Sequence, residues 1–353
     1  MLLIYGVTGY TGRLMSDQAE QEGVPHYIAG RNHDRLAALS TELDRPYRCF
    51  SLEDIQDPTQ RARIFEGVSV VLNAAGPFGR TAPALIRACL AEQVHYLDLA
   101  GEVPEFLRAF KYHTAAQEAG ITLIPGVGFG VVPTDLIAKQ LHTDLPTATR
   151  LTLAFETLGS VSRGTLNVLL KDLFRPGYRR VGGVLKTAYA AEQQRIFHWP
   201  DGQRELERHA VYNPWRADLM SAFISTKIPT IETYTVFPTA LSRFMIKKRV
   251  VGFWEHQRVQ RFLSSLTARL PEGPTNAQLE QGHTRLWGMA YDAKGNMAEI
   301  CLKGPEAYVF TALTAVEISK RLLAGPVSPG FSTPSQVMGF KELTALPGVK
   351  RLS

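Results

Sequence analysis

Cysteine is scarce in this chain. Only Cys49, Cys89 and Cys301 occur in 353 residues, far apart and without metal-type spacing. That spacing excludes a disulfide framework and points to a reducing compartment. Long apolar runs are also missing: the best stretch, Ile121 to Val132, is broken by Pro125, Gly126, Gly128 and Gly130. It falls short of the roughly 18 residues that a helical membrane span needs. The nine histidines are dispersed, with no His-x-x-x-His or His-Glu-x-x-His, so a metal enzyme is not expected. The first strand-like run starts at residue 2, which leads us to expect no cleavable leader and a cytoplasmic location.

What is present begins with Gly6-Val7-Thr8-Gly9-Tyr10-Thr11-Gly12, directly after the apolar run Leu2 to Tyr5. A strand that turns through spaced glycines into a helix brings backbone N–H groups and the positive end of the helix dipole up to a diphosphate. After Gly12, Leu14, Met15 and Ala19 are expected to share a helix face, Gly23 to end the helix, and His26 to Gly30 to form a second strand. This is the spacing of a dinucleotide-binding βαβ unit. At the second strand's tip, a carboxylate selects NAD and a cation selects NADP. The tip here is Gly30-Arg31-Asn32, with Arg35 one helical turn further and Asp34 the lone opposing charge. NADP(H) is the expected cofactor. A solvated surface role is the alternative for Arg31.

The alternation continues. Leu36, Leu39 and Leu43 predict a helix, Tyr47 to Leu52 a strand, Asp57-Pro58 a helix start, and Val68 to Leu72 a buried strand. That strand runs into Asn73-Ala74-Ala75-Gly76-Pro77-Phe78-Gly79, a loop at the carboxyl end, where doubly wound sheets hold their ligands. Further on, Arg87 to Glu92 and Val103 to Ala119 predict helices, and His95 to Leu99 and Ile121 to Pro125 predict strands. The fold class is α/β, with six strands in an open, doubly wound parallel sheet.

Beyond about residue 145 the pattern changes to α+β. Arg150 to Glu156, Gln194 to Trp199, Glu205 to Tyr212 and Thr230 to Phe237 read as strands, and Arg285 to Tyr291 with Met297 to Lys303 as a hairpin. A long helix follows from Pro305 to Leu323, and Gly325 to Pro334 reads as a flexible strap. The expected domains are residues 1–145 for the nucleotide and 146–304 for substrate and assembly, with 305–353 packing back on the first.

The formal net charge is +6. Arg163, Lys171, Arg175, Arg179 and Arg180 face only Asp172 in one basic segment, and between Arg243 and Arg261 six basic residues oppose only Glu255. Solvated faces and an anionic partner (an acyl carrier, a coenzyme A ester or an acidic membrane surface) both account for such runs. Nucleic acid is not expected, because no recognition motif accompanies the charge.

Candidate proton donors and substrate-positioning groups are Tyr96, Asp98 and Glu102, where the fifth strand meets the cofactor cleft, and Asp135 and Arg163 further along. Capping and loop-amide roles account equally for Asp98 and Glu102, and helix-start roles for Asp135 and Arg163. Short-chain dehydrogenases share the glycine pattern, but their Tyr-x-x-x-Lys pair is absent.

The turn Gly6 to Gly12, Ala29-Gly30-Arg31-Asn32, Asn73 to Phe78, Tyr96-Leu-Asp98-Leu-Ala-Gly101-Glu102 and Pro125-Gly-Val-Gly-Phe129 resemble the saccharopine dehydrogenase-like reductases, most closely the trans-acting enoyl reductase branch. Weaker echoes reach Gly330-Phe-Ser-Thr-Pro334. The resemblance implies NADP(H) in a Rossmann domain, a second domain with a mixed sheet that supports a homodimer, and reductase activity on a small-molecule or acyl substrate. Gly130 departs from that branch, which often carries aspartate there. Enoyl reduction calls for an apolar channel, with Leu166, Leu169, Leu170, Phe174 and Tyr178 as candidates. Saccharopine-type chemistry calls for cations such as Arg163 or Arg175. A non-catalytic NADP(H)-binding sensor or scaffold is the competing class, because no unmistakable proton donor stands out.

Overall fold

The computed structural model describes residues 1–159, 175–201, 204–238, 242, 245 and 273–352. The chain forms two compact units, Met1–Val132 with Tyr308–Met338, and Pro133–Ala307 with Gly339–Ser353.

In the first unit, β1 (Leu2–Tyr5), α1 (Tyr10–Gln21), β2 (His26–Gly30), α2 (His33–Leu43) and β3 (Tyr47–Cys49) follow one another. Then come α3 (Pro58–Phe65), β4 (Val70–Asn73), α4 (Phe78–Glu92), β5 (His95–Asp98), α5 (Val103–Phe110), α6 (His113–Glu118) and β6 (Thr122–Ile124). Leu2, Leu3, Ile4, Val70, Val71 and Leu72 are completely buried, as continuous apolar strands must be when helices cover both faces of a parallel sheet. Asp57 caps α3 by accepting from the Gln60 amide at 2.8 Å, with Pro58 in the first turn.

Three local expectations are corrected. The buried face of α1 is Gly12, Met15, Ser16 and Ala19, and Leu14 is only half-buried. Ser16 is drawn inside by a buried histidine: His26 Nδ1 donates to the Val24 carbonyl at 2.8 Å, leaving Nε2 to accept from Ser16 Oγ at 2.8 Å. The strand expected to reach Leu52 stops at Cys49, because Ser51 and Asp54 exchange bonds that start a 3₁₀ turn. The helix expected over Val103 to Ala119 is two helices, α5 and α6, broken at Lys111 and Tyr112.

The second unit is a mixed sheet backed by helices. Its elements are α7 (Val132–Asp144), β7 (Ala148–Leu158), β8 (Gly177–Val181), β9 (Val184–Ala188), β10 (Gln194–Asp201), β11 (Arg204–Tyr212), α8 (Asp218–Thr226) and β12 (Thr230–Val236). They continue with α9 (Asn276–Gln281), β13 (His283–Asp292) and β14 (Met297–Pro305). The strand order β10-β11-β12-β7-β13-β14 is antiparallel except where β12 runs parallel to β7. The β13–β14 hairpin forms as expected, with Asp292 Oδ1 accepting the amides of Lys294 and Asn296 inside the turn. The sheet curls so far that Phe197 and Trp199 of β10 meet Trp287 of β13, at ring distances of 5.5 and 5.0 Å. Trp287 Nε1 donates to the His198 carbonyl, so the buried indole keeps its polar handle satisfied.

Arg180 is not part of a solvated basic run. It is buried, donating to the carbonyls of Leu219 (2.6 Å) and Gly183 (2.7 Å), with its guanidinium 4.0 Å from the Phe223 ring centre. Arg179 pairs with Glu192.

The C-terminal elements are α10 (Ala307–Ala324), β15 (Gly330–Phe331), α11 (Phe340–Ala345) and β16 (Lys350–Arg351). The presumed strap is ordered: β15 adds a parallel strand beside β6, giving the sheet order β15-β6-β5-β4-β1-β2-β3 among the described residues. It is held by the Gly330 amide on the Ile121 carbonyl at 2.8 Å and the Phe331 amide on His113 Nδ1 at 3.0 Å. His113 is the first residue of α6, just past the break between α5 and α6. β16 pairs with β14, so the last residues join the second unit.

Candidate functional site

The carboxyl ends of β1, β2, β4 and β5 carry the predicted site residues of the first unit. After β1 the chain turns sharply at Gly6, whose φ is +93°. A Cβ there would lie 2.8 Å from the Ala75 amide nitrogen, so the glycine turn and the Asn73 loop touch backbone to backbone. At Gly12 a Cβ would lie 2.8 Å from Val7 Cα, which fixes α1 tightly under the turn. Gly9 is the N-cap of α1; no side chain caps the helix, and its first turn holds no acidic residue. A diphosphate fits this cradle: amides and the helix dipole face it, and the first turn of α1 sets no carboxylate against it.

At the tip of β2, Arg31 is exposed. Asn32 caps α2, its Oδ1 accepting from the Arg35 amide at 3.0 Å. The Arg35 guanidinium donates to the Thr8 carbonyl at 2.9 Å, which ties α2 to the glycine turn. Asp34 is fully exposed.

The loops after β4, β5 and β6 are joined by one buried chain of hydrogen bonds. Asn73 Oδ1 accepts from the Ala75 amide at 3.0 Å, while its Nδ2 donates to Thr81 Oγ1 (3.1 Å) and to the Tyr96 hydroxyl (3.0 Å). Thr81 donates to the Ala75 carbonyl at 2.7 Å. The Tyr96 phenol donates to Asp98 Oδ2 at 2.9 Å, and Asp98 Oδ1 accepts the amides of Ala100 (2.9 Å) and Gly126 (3.1 Å). Burial pushes the Asp98 carboxyl up to about 6, against the pull of its donors, and raises the Tyr96 phenol well above its ordinary value. Tyr96 thus spends its hydroxyl on Asp98 and the Asn73 side chain, and Asp98 its carboxylate on Tyr96 and loop backbone. Glu102 is half-buried, with Oε2 accepting from the Gly101 amide at 3.0 Å.

Asp135 lies in α7 of the second unit, fully buried, and accepts from Ser225 Oγ at 2.8 Å. Arg163, Leu166, Leu169, Leu170, Phe174 and the basic segment from Arg243 to Arg261, apart from Met245, lie outside the described residues. Arg175 is exposed, and Tyr178 is half-buried with its carbonyl taking the Tyr212 hydroxyl at 2.8 Å.

Sequence reasoning missed the start of α10. Thr311 Oγ1 accepts the Phe129 amide at 3.2 Å, Thr314 Oγ1 lies 2.9 Å from the Val127 carbonyl, and the Tyr308 ring meets Tyr10 edge-on at 5.3 Å. The available signal was a row of hydroxyls, Tyr308, Thr311 and Thr314, at three-residue spacing on the otherwise apolar first half of the helix.

Fold and site together define a dinucleotide-binding α/β protein with a second domain built on a mixed sheet. Residues 2–124 match the family described as the saccharopine dehydrogenase NADP binding domain. Those residues of the first unit are thus similar to an NADP-binding domain, and NADP(H) is the cofactor that the sequence led us to expect. The human saccharopine dehydrogenase-like oxidoreductase is 29% identical over 153 residues, 38% of this chain and 35% of that protein. A trans-acting enoyl reductase of Mycobacterium bovis is 30% identical over 149 residues, 40% of this chain and 35% of that protein. The matched region therefore spans about a third of those relatives. Among solved structures, apo saccharopine dehydrogenase (L-Glu forming) from Saccharomyces cerevisiae superposes with a TM-score of 0.65 at 13% identity, covering 100% of this chain and 99% of that one. That likeness shows the α/β fold of the whole chain. Among the described residues, no helix is long and apolar enough to cross a membrane.

Proposed function

We propose that this protein is an NADPH-dependent oxidoreductase that reduces a C=C (enoyl) or C=N bond of a small or acyl substrate. The observation that carries the proposal is the uncapped α1 under its glycine turn, beside the exposed Arg31 and inside a domain of the NADP-binding type. The names of its relatives, an oxidoreductase and an enoyl reductase, support the reaction class.

Bound NADPH supplies a hydride. The amides of the first turn of α1 would hold its diphosphate, and Arg31 would take the 2′-phosphate through its planar fork. The Asn73, Gly101 and Gly126 loops, braced together by Tyr96 and Asp98, would hold the nicotinamide half. Reduction leaves negative charge on the neighbouring substrate atom, which must be protonated. Glu102, half-buried beside Gly101, is our candidate donor, directly or through water. Tyr96 and Asp98 act as positioning residues. We assign the second unit to substrate binding and homodimer formation, and the protein to the cytoplasm, in keeping with its three free cysteines.

A panel of enoyl thioesters and imines, incubated with NADPH and followed by loss of nicotinamide absorbance, tests this reading. Oxidation with at least one class supports it. Tight NADPH binding with no turnover of any member overturns it in favour of a sensor or scaffold. The burial of Tyr96 and Asp98, two of the predicted acids, is the specific observation that keeps that second reading in view.

A further inference from the structure

We infer that Tyr308, paired with Tyr10, forms an aromatic wall against the nicotinamide half of the bound cofactor and acts as a positioning residue for it. The inference rests on the NADP(H) reading above and adds to it a residue from the far end of the chain.

The carboxyl ends run β6-β5-β4-β1-β2 across the cleft. Arg31 marks the adenosine end beyond β2, and α1 behind β1 marks the diphosphate. The rest of the cofactor must therefore extend over β4 and β5. Helix α10 is pinned at the β6 side, where Thr311 accepts the Phe129 amide at 3.2 Å and Thr314 reaches the Val127 carbonyl at 2.9 Å. A Cβ at Gly128 would lie 2.9 Å from Thr311 Cγ2 and 3.3 Å from Leu99 Cδ2, so the loop after β6 is packed between this turn of α10 and the segment after β5. One turn earlier, the half-buried Tyr308 ring touches Tyr10, the first residue of α1, at 5.3 Å and 86°. Tyr308 thus bridges from the β6 loop to the diphosphate turn, across the carboxyl ends of β4 and β5. A flat apolar ring with a polar rim suits a nicotinamide and its ribose.

The test measures two ligands on the full chain by calorimetry: NADPH, and adenosine 2′,5′-bisphosphate, which has the adenosine end but no nicotinamide. Tyr308→Ala and Tyr10→Ala should each weaken NADPH about tenfold, the scale of a single aromatic contact. Both should leave adenosine 2′,5′-bisphosphate within about twofold of wild type. Tyr308→Phe should keep most of the NADPH affinity. Thermal unfolding checks that each variant is folded, and Tyr308→Leu replaces Tyr308→Ala if the smaller side chain prevents folding. Equal loss of both ligands, or no loss of either, overturns the inference while leaving the NADP(H) reading intact. Failure of the wild-type protein to bind either ligand overturns both.

Discussion

Asp98 and Gly126 are 28 residues apart in the chain, yet the carboxylate of one accepts the amide of the other at 3.1 Å. This bond, with the phenol of Tyr96 on the second carboxylate oxygen, locks the loops after β5 and β6 to the loop after β4. In Asp98→Asn the amide keeps one accepting oxygen but sets a donor opposite the Tyr96 hydroxyl, which then lacks its acceptor in a buried site. The expected cost is about 1–3 kcal/mol, read by chemical denaturation, together with weaker NADPH binding. The sign of the pH dependence follows from the raised carboxyl value of about 6. A raised folded value gives stability that is complete below the unfolded value and lost as pH rises through the folded one. The asparagine variant lacks this term, so its deficit against wild type should narrow between pH 4 and pH 7.

His95 gives the opposite slope. Its Nδ1 accepts the buried Thr122 amide at 2.9 Å, and burial lowers its protonation below the ordinary histidine range. Stability from this group is complete above the unfolded value near about 6.5 and is lost as pH falls through the lower folded value. His95→Asn places a non-titrating oxygen close to where Nδ1 stood. It should flatten unfolding free energy between pH 7 and pH 5, and an unchanged slope would remove His95 from this role.

Arg31 and Arg35 should separate by cofactor. Arg31→Asp is expected to weaken NADPH at least about tenfold relative to NADH, because only the 2′-phosphate distinguishes them. Arg35→Ala should weaken both nucleotides to a similar degree, since its guanidinium holds the Thr8 carbonyl of the turn they share. Binding isotherms for the two cofactors on each variant decide the matter; selective loss of NADPH in Arg35→Ala would assign it to the phosphate as well.

Gly12→Ala tests the cradle itself. The added methyl would press on the Gly6 carbonyl and approach Val7 Cα to 2.8 Å, contacts that only backbone movement relieves. Overpacking of this kind costs about 1–3 kcal/mol. Loss of NADPH binding should exceed what the lowered melting temperature alone explains.

Local chemistry was readable where short-range pattern dictates structure. Apolar runs bounded by glycines marked β1, β2 and β4, Asp57-Pro58 marked the start of α3, and the Asp292 turn marked the β13–β14 hairpin. The contacts that escaped depend on residues far apart in sequence. Nothing near Gly330 announces that it will complete the sheet beside β6, because its partners are Ile121 and His113. Arg180 looked like one more surface cation; only its carbonyl partners and Phe223 make it an interior group. Tyr96 and Asp98 were legible as a polar pair at a strand end, but alternation along one strand could not reveal that Asn73 and Gly126 would close over them. The hydroxyl row of α10 was visible, and its target was not.

The placement of β15 also has a consequence for biosynthesis. Thr122 waits for the Ser328 carbonyl, 206 residues downstream, and until then the outer edge of β6 is bare. At translation speeds of roughly 5–20 residues per second, that interval lasts on the order of 10–40 s. An unpaired strand edge invites association with other chains for as long as it stays open. Nascent protein should therefore pass through a stage in which its nucleotide domain is largely folded but still adhesive, and the burden on chaperones should fall sharply once Phe331 clears the ribosome.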